Sequence, residues 1–133
     1  MALQITELCD HIQEQQHQWL ESTYSPGLSL QALRVQNHRY AGTGGISQLN
    51  RDYGFTPAFH DTQDGSTEIS RFGDGRPAPF HLLDGLPEQW VAERSPCGKV
   101  LTANPSVIAG FVRQQQFYTR EQAAGAVKLI NLD

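Results

Sequence analysis

The residues best equipped for chemistry lie in one short run, HRYAGTGGISQLNR, at positions 38–51. Glycines let a backbone turn its N–H groups toward one point, and a helix starting just beyond adds a dipole that attracts anions. Gly42, Gly44 and Gly45 supply the freedom to turn, Thr43 and Ser47 supply hydroxyls, and Arg39 and Arg51 supply positive charge. These seven residues form a candidate site for a small anion or a nucleotide phosphate. The pattern departs from the phosphate cradles it invites comparison with. No lysine follows, as G-x-x-x-x-G-K-[ST] requires, and no acid stands where a G-x-G-x-x-G turn in a βαβ unit needs one. The run is therefore read first as a bend and second as an anion site.

Two histidine–carboxylate combinations could act as a base with an orienting acid: His60 with Asp61, and His81 with Asp84. Cross-strand pairing and helix capping explain the same residues without any chemistry. There is no G-x-S-x-G nucleophile elbow, and Cys97 falls in a tight turn rather than at a helix start. Cys9 and Cys97 form no C-x-x-C pair and join no His-Cys cluster of zinc-ligand spacing. Neither a metal nor a cofactor is expected. The N-terminus lacks the basic start and continuous apolar region of a secretory signal, so two free thiols in a reducing, cytoplasmic compartment are expected.

A different signal comes from RFGDGRPAPFHLLDGLPEQW at 71–90. It is rich in Gly, Pro and Asp, carries large aromatics, and shows little periodicity. Long loops of this kind in a compact domain are commonly functional. Phe72, Asp74, Arg76, Phe80 and Trp90 form a candidate surface for another protein. In the competing account Phe72, Phe80 and Trp90 pin the loop to the core.

The elements that must position these residues follow from hydrophobic spacing. Ile5, Leu8, Cys9, Ile12, Trp19 and Leu20 give one apolar stripe and predict a helix over about 5–23, ended by SPG at 25–27. Leu28 and Leu30 alternate, then Leu33 and Val35 on the other parity, which predicts a strand around 32–40. FTPAFHDTQDGSTEISRF predicts a hairpin with Gly65 in a three-residue loop, placing Phe59 opposite Ile69 and His60 opposite Glu68. Pro57 cannot donate to a ladder, so its strand is expected at an edge or at a bulge. HLLDGLPEQW predicts a short helical turn or an irregular connection. WVAER-SPCG-KVLT predicts a second hairpin, and SVIAGFV with QFY a third. Thr119 with Gln122 forms a capping box, and Ala123, Ala124, Val127 and Ile130 line the inner face of the helix that follows. The 133 residues thus describe one α+β domain: an antiparallel sheet built from hairpins, packed against N-terminal and C-terminal helices.

Charge is segregated beneath the net value of −4. Residues 1–27 hold acids without a base, and residues 28–51 hold Arg34, Arg39 and Arg51 without an acid. Residues 52–93 are strongly acidic, and residues 94–133 are basic again. Such a chain is not expected to bind nucleic acid generally, although the two basic stretches allow a local contact. No apolar run approaches the length of a membrane span, so no membrane partner is expected.

FTPAFHDTQDGSTEISRFGDGRPAPFHLLDGLPEQWV and PSVIAGFVRQQQFYTREQA resemble a set of small uncharacterised bacterial proteins, over about residues 38–126. The resemblance implies a bacterial, cytosolic setting and no activity, cofactor or catalytic residue. The leading expectation is a non-enzymatic domain that binds another protein through the 71–90 loop. The alternative is a small-anion or nucleotide-binding protein, or an enzyme acting on such a ligand, built on the glycine run.

Overall fold

The computed structural model describes residues 27–131. The helix expected over 5–23, and Cys9 within it, lie outside the described residues. In chain order the elements are α1 (Leu30–Arg39), α2 (Ser47–Asn50) running into a 3₁₀ turn (Arg51–Tyr53), β1 (Thr56–Asp61), β2 (Thr67–Ile69), a second 3₁₀ turn (Glu88–Trp90), β3 (Val91–Arg94), β4 (Val100–Ala103), β5 (Val107–Arg113), β6 (Gln116–Thr119) and α3 (Arg120–Asn131). The strands form one four-stranded sheet, ordered β2-β1-β5-β6, and one two-stranded sheet of β3 and β4. Every pairing is antiparallel, and the architecture is the expected α+β.

The stretch 32–40 is a helix, not the expected strand. Ser29 caps α1: its Oγ accepts the Ala32 N–H at 3.0 Å, and its carbonyl begins the helical ladder with Leu33 N–H. Leu33 is buried, with Ala32, Gln36 and Tyr40 half-buried beside it. These positions follow helical spacing, but one of them is a polar glutamine, which conceals the stripe. The change of parity between Leu30 and Leu33 is itself a three-residue step and belonged to a helix.

The β1–β2 hairpin has a wider loop than expected. Phe59 pairs with Glu68 and His60 with Thr67, and Asp61 N–H donates to Ser66 O across a four-residue connection. The Asp61 carboxylate accepts Gln63 N–H at 2.9 Å, and Asp64 accepts Ser66 N–H at 2.8 Å, so two Asx turns stabilise the longer loop. Gly65 takes the expected left-handed conformation, with φ +80°.

Pro57 lies on an interior strand rather than at an edge, and the ladder accommodates it at one point. Pro57 O accepts Ser70 N–H, and the return bond, which proline cannot make, is supplied to Ser70 O by Ala78 N–H at 2.9 Å. The second and third hairpins form as expected, the last through Gln114 and Gln115, both at positive φ. Thr119 and Gln122 exchange the reciprocal bonds of a capping box. Cys97, exposed at the tip of the β3–β4 turn, is disulfide-bonded and not the expected free thiol. A turn tip accepts a second sulfur without disturbing packed neighbours.

Two apolar clusters make the core. One gathers Leu33, Phe59, Leu83, Leu86, Trp90, Val100 and Val107 between α1, the two sheets and the 71–90 loop. The other packs Ala123 and Val127 of α3 on Phe55 and Phe111. Val107, Ala109 and Phe111 alternate along β5 and so share one face, which carries both clusters. His81 lies between them, edge-on to Phe59 at 5.4 Å and to Phe111 at 5.1 Å.

Candidate functional site

The glycine run is folded on itself. Thr43 Oγ1 donates to Tyr40 O at 2.7 Å and accepts Gly45 N–H at 3.0 Å. The Gly44 carbonyl takes a bond from Asn50 Nδ2 and the Gly45 carbonyl one from Arg120 Nη1. Gly44 and Gly45 are buried, and a Cβ on either would come within 2.6 Å of Val127 or of the Tyr40 ring. Two of these glycines therefore provide space for packing. Only Gly42, at φ +80°, provides a left-handed backbone.

The candidate anion ligands do not share one concavity. Gly42, Thr43 and Gly44 face a cavity of about 560 Å³ floored by Leu49, Tyr53 and Val127. Ser47 and Arg51 line a separate cleft of about 460 Å³ together with Ile46, Phe80 and His81. Arg39 is exposed at the end of α1. What the structure does bring together is Ser47 and Arg51 from the first candidate set with Phe80 from the second.

The 71–80 part of the long loop is an ordered lobe. Arg71 bridges Pro77, Phe72 N–H donates to Arg76 O, and Gly75 N–H donates to Phe72 O. Arg76 bonds Asp74 at 2.7 Å and lies over the Phe72 ring at 5.2 Å. Trp90 is 3% exposed and belongs to the core, so it is not presented to a partner. Phe80 is the reverse case, at 48% exposed. Ser70 holds the backbone around it: the Ser70 carbonyl accepts Ala78 N–H, and its Oγ donates to Phe80 O at 2.8 Å and accepts Leu82 N–H.

Neither histidine–carboxylate pair is assembled. His60 bonds Thr67 Oγ1 across the hairpin and stacks on Phe117, while Asp61 holds the turn. His81 Nε2–H donates to Gly110 O at 2.7 Å, which leaves Nδ1 to accept from Arg120 Nη2 at 3.2 Å. Burial first, and the neighbouring guanidinium second, lower its pKa to about 3, so the ring is neutral and both nitrogens are engaged.

Arg120 was not singled out from the sequence, yet it is the main polar cross-link. It is 4% exposed and reaches Gln36 of α1, Gly45 O of the glycine run and His81 of the long loop. Burial lowers its pKa to about 10, which keeps it charged at neutral pH. Its partners are neutral dipoles; among the described residues it makes no ion pair. One signal was available: a cation in the first turn of a helix opposes the macrodipole, so an arginine directly after the Thr119 cap needs a reason elsewhere.

Among the described residues no group of His, Cys, Asp and Glu could hold a metal ion, and no helix is long and apolar enough to cross a membrane. Comparison with protein-family models, with curated proteins and with solved structures gives no match.

Proposed function

We propose that this chain is a non-enzymatic interaction domain that binds another protein through the face formed by the 71–80 lobe and the adjoining cleft. The observation that carries this reading is Phe80, a large apolar ring left half-exposed on a backbone that Ser70 bonds at residues 78, 80 and 82. A backbone fixed in place before binding loses little freedom on association, and an exposed aromatic anchor beside a cleft is the usual nucleus of a binding surface. The engagement of both His81 nitrogens and the spread of the glycine-run residues over separate cavities favour this reading over an acid–base site at His81 or a single anion cradle.

Affinity capture by the wild-type chain and by Phe80→Ser in parallel, followed by titration of the purified partner, tests the reading. The expected result is a stoichiometric complex with unchanged folding of the variant and at least a tenfold rise in Kd. A complex indifferent to Phe80 refutes it.

A bacterial, cytoplasmic setting is part of this proposal, and it rests on the resemblance. The bond at Cys97 weighs against a reducing compartment. Thiol titration of protein trapped rapidly from cells decides: free thiols place the domain in the cytoplasm, and their absence places it in an oxidising compartment.

A further inference from the structure

The described arginines divide sharply. Arg71, Arg76, Arg94, Arg113 and Arg120 each bond a carbonyl, a carboxylate or a side-chain acceptor within the chain. Arg34, Arg39 and Arg51 have exposed side chains that make no such bond among the described residues, and they are the three arginines of the acid-free stretch 28–51. Arg34 and Arg39 lie on α1. Arg51 stands in the cleft beside Phe80. That cleft continues past Arg51 and Ser47 into a smaller one of about 150 Å³, walled by Phe55, Pro57, Ala78 and Pro79. Arg51 and Ser47 line both, so a guanidinium without a partner among the described residues sits midway along an otherwise largely apolar groove.

We infer that this groove takes a peptide segment of a partner protein in which an acidic side chain stands beside an apolar one. The inference rests on the interaction reading above and adds the chemistry of the partner. The guanidinium fork matches a carboxylate, and its attraction strengthens where apolar walls exclude water. The apolar neighbour packs on Phe80 and Ile46. Asn37 and Gln48 on the rim, and the Ser47 hydroxyl, make no side-chain bond among the described residues and are placed to meet a peptide backbone. Arg34 and Arg39 add attraction at longer range that steers an acidic segment toward the groove.

A nucleic acid fits less well. A phosphodiester chain needs a series of cations along its path, whereas this groove holds one, with the exposed Asp52 directly following it. The second basic stretch adds no cation to this groove: Arg113 and Arg120 are engaged inside the fold, Arg94 pairs with Glu88 at the surface, and Lys99 and Lys128 line other cavities. A net charge of −4 opposes a polyanion further.

The test uses fluorescence anisotropy with capped, labelled eight-residue peptides on a Gly-Ser background. Their two central positions are Asp or Glu followed by Leu, Phe or Trp. Controls replace the acid with Asn, Gln or Lys, and oligo-dT, oligo-U and inorganic phosphate are measured in the same buffer. The acidic–apolar peptides should bind saturably and weaken with salt. Arg51→Gln and Phe80→Ser should each reduce affinity about tenfold or more, and Arg34→Gln or Arg39→Gln less than about threefold. Arg51→Glu should transfer the preference to the Lys-bearing peptides, a gain that damage to the fold cannot imitate.

Equal binding of the acidic and amide peptides overturns the inference, as does the absence of saturable binding by any acidic peptide. Tighter, Arg51-dependent binding of an oligonucleotide, or phosphate binding indifferent to Phe80→Ser, overturns it in favour of a polyanion or a small anion. The broader reading fails separately. If the captured partner still requires Phe80 while acid-to-amide changes are silent, the interaction face stands and its acidic ligand falls. If Phe80→Ser affects neither, both fall.

Discussion

Two loops rich in glycine, 42–45 and 71–80, look alike in composition and behave oppositely in the fold. In the first, Gly44 and Gly45 are buried where a side chain would collide, and their carbonyls are bonded to Asn50 and Arg120. In the second, Gly75 adopts φ +96° with nothing within 4 Å of its missing Cβ, and the lobe is held by its own turn bonds. Gly44 and Gly45 serve packing, whereas Gly75, like Gly42 at the outer end of the first loop, serves backbone conformation. The inward loop therefore belongs to stability, and the outward one is free to serve recognition.

The largest effect should come from the residue that anchors the inward loop. Arg120→Leu leaves Gly45 O, Gln36 and His81 Nδ1 without their donor, and should cost about 3 kcal/mol or more in urea unfolding. A loss below about 1 kcal/mol would show that water replaces the guanidinium and that the cross-link is incidental. Gly45→Ala comes next. Its Cβ would meet the Tyr40 ring at 2.6 Å and the Arg120 carbonyl at 3.0 Å, and overpacking of this kind costs about 1–3 kcal/mol.

His81 joins the two regions and gives the comparison a pH dependence. Its pKa is about 3 in the fold against 6.5 when unfolded. Above pH 6.5 both states are neutral and the stability is fully present. As pH falls from 6.5 toward 3 the unfolded chain takes up a proton that the folded chain refuses, so stability declines by roughly 1.4 kcal/mol per pH unit. Urea midpoints at pH 7, 6 and 5 should show this slope in the wild type and its reduction in His81→Gln; parallel curves would remove His81 as the cause.

The smallest effect belongs to the outward lobe. Gly75→Ala meets no neighbour and should lose only about 1 kcal/mol through left-handed strain. Should it cost as much as Gly45→Ala, the contrast between space and conformation would collapse.

The sequence was most legible where structure is local. The Thr119 capping box, the Ser95–Gly98 turn and the left-handed Gly65 follow from neighbours a few residues apart, and the structure has all three. It misled at α1, where Gln36 faces inward to meet Arg120, 84 residues away. A polar residue on a buried face breaks the periodicity that announces a helix. The hairpin register was missed because side-chain pairing was weighed without the two Asx turns that favour a longer loop. The candidate site was half visible. Arg51, Ser47 and Phe80 were each named, but in two separate lists, since only the tertiary fold lays residues 46–51 against residue 80.

Pro57 has a consequence for where the lobe stands. With an N–H at position 57, β1 and β2 could close a complete pair of bonds at Ser70 and continue zipping, drawing residues 71 onward into a longer edge strand. Proline withholds that donor, and the vacant acceptor is taken by Ala78. The chain must leave the sheet after Ser70 and return to the same carbonyl, which stitches both feet of the lobe to one point. Pro57→Ala would make two donors compete for that carbonyl, so its first symptom should be faster amide exchange at Ala78, ahead of any loss within the sheet. A missing hydrogen on an interior strand thus fixes the place from which the most exposed aromatic ring among the described residues is presented to solvent.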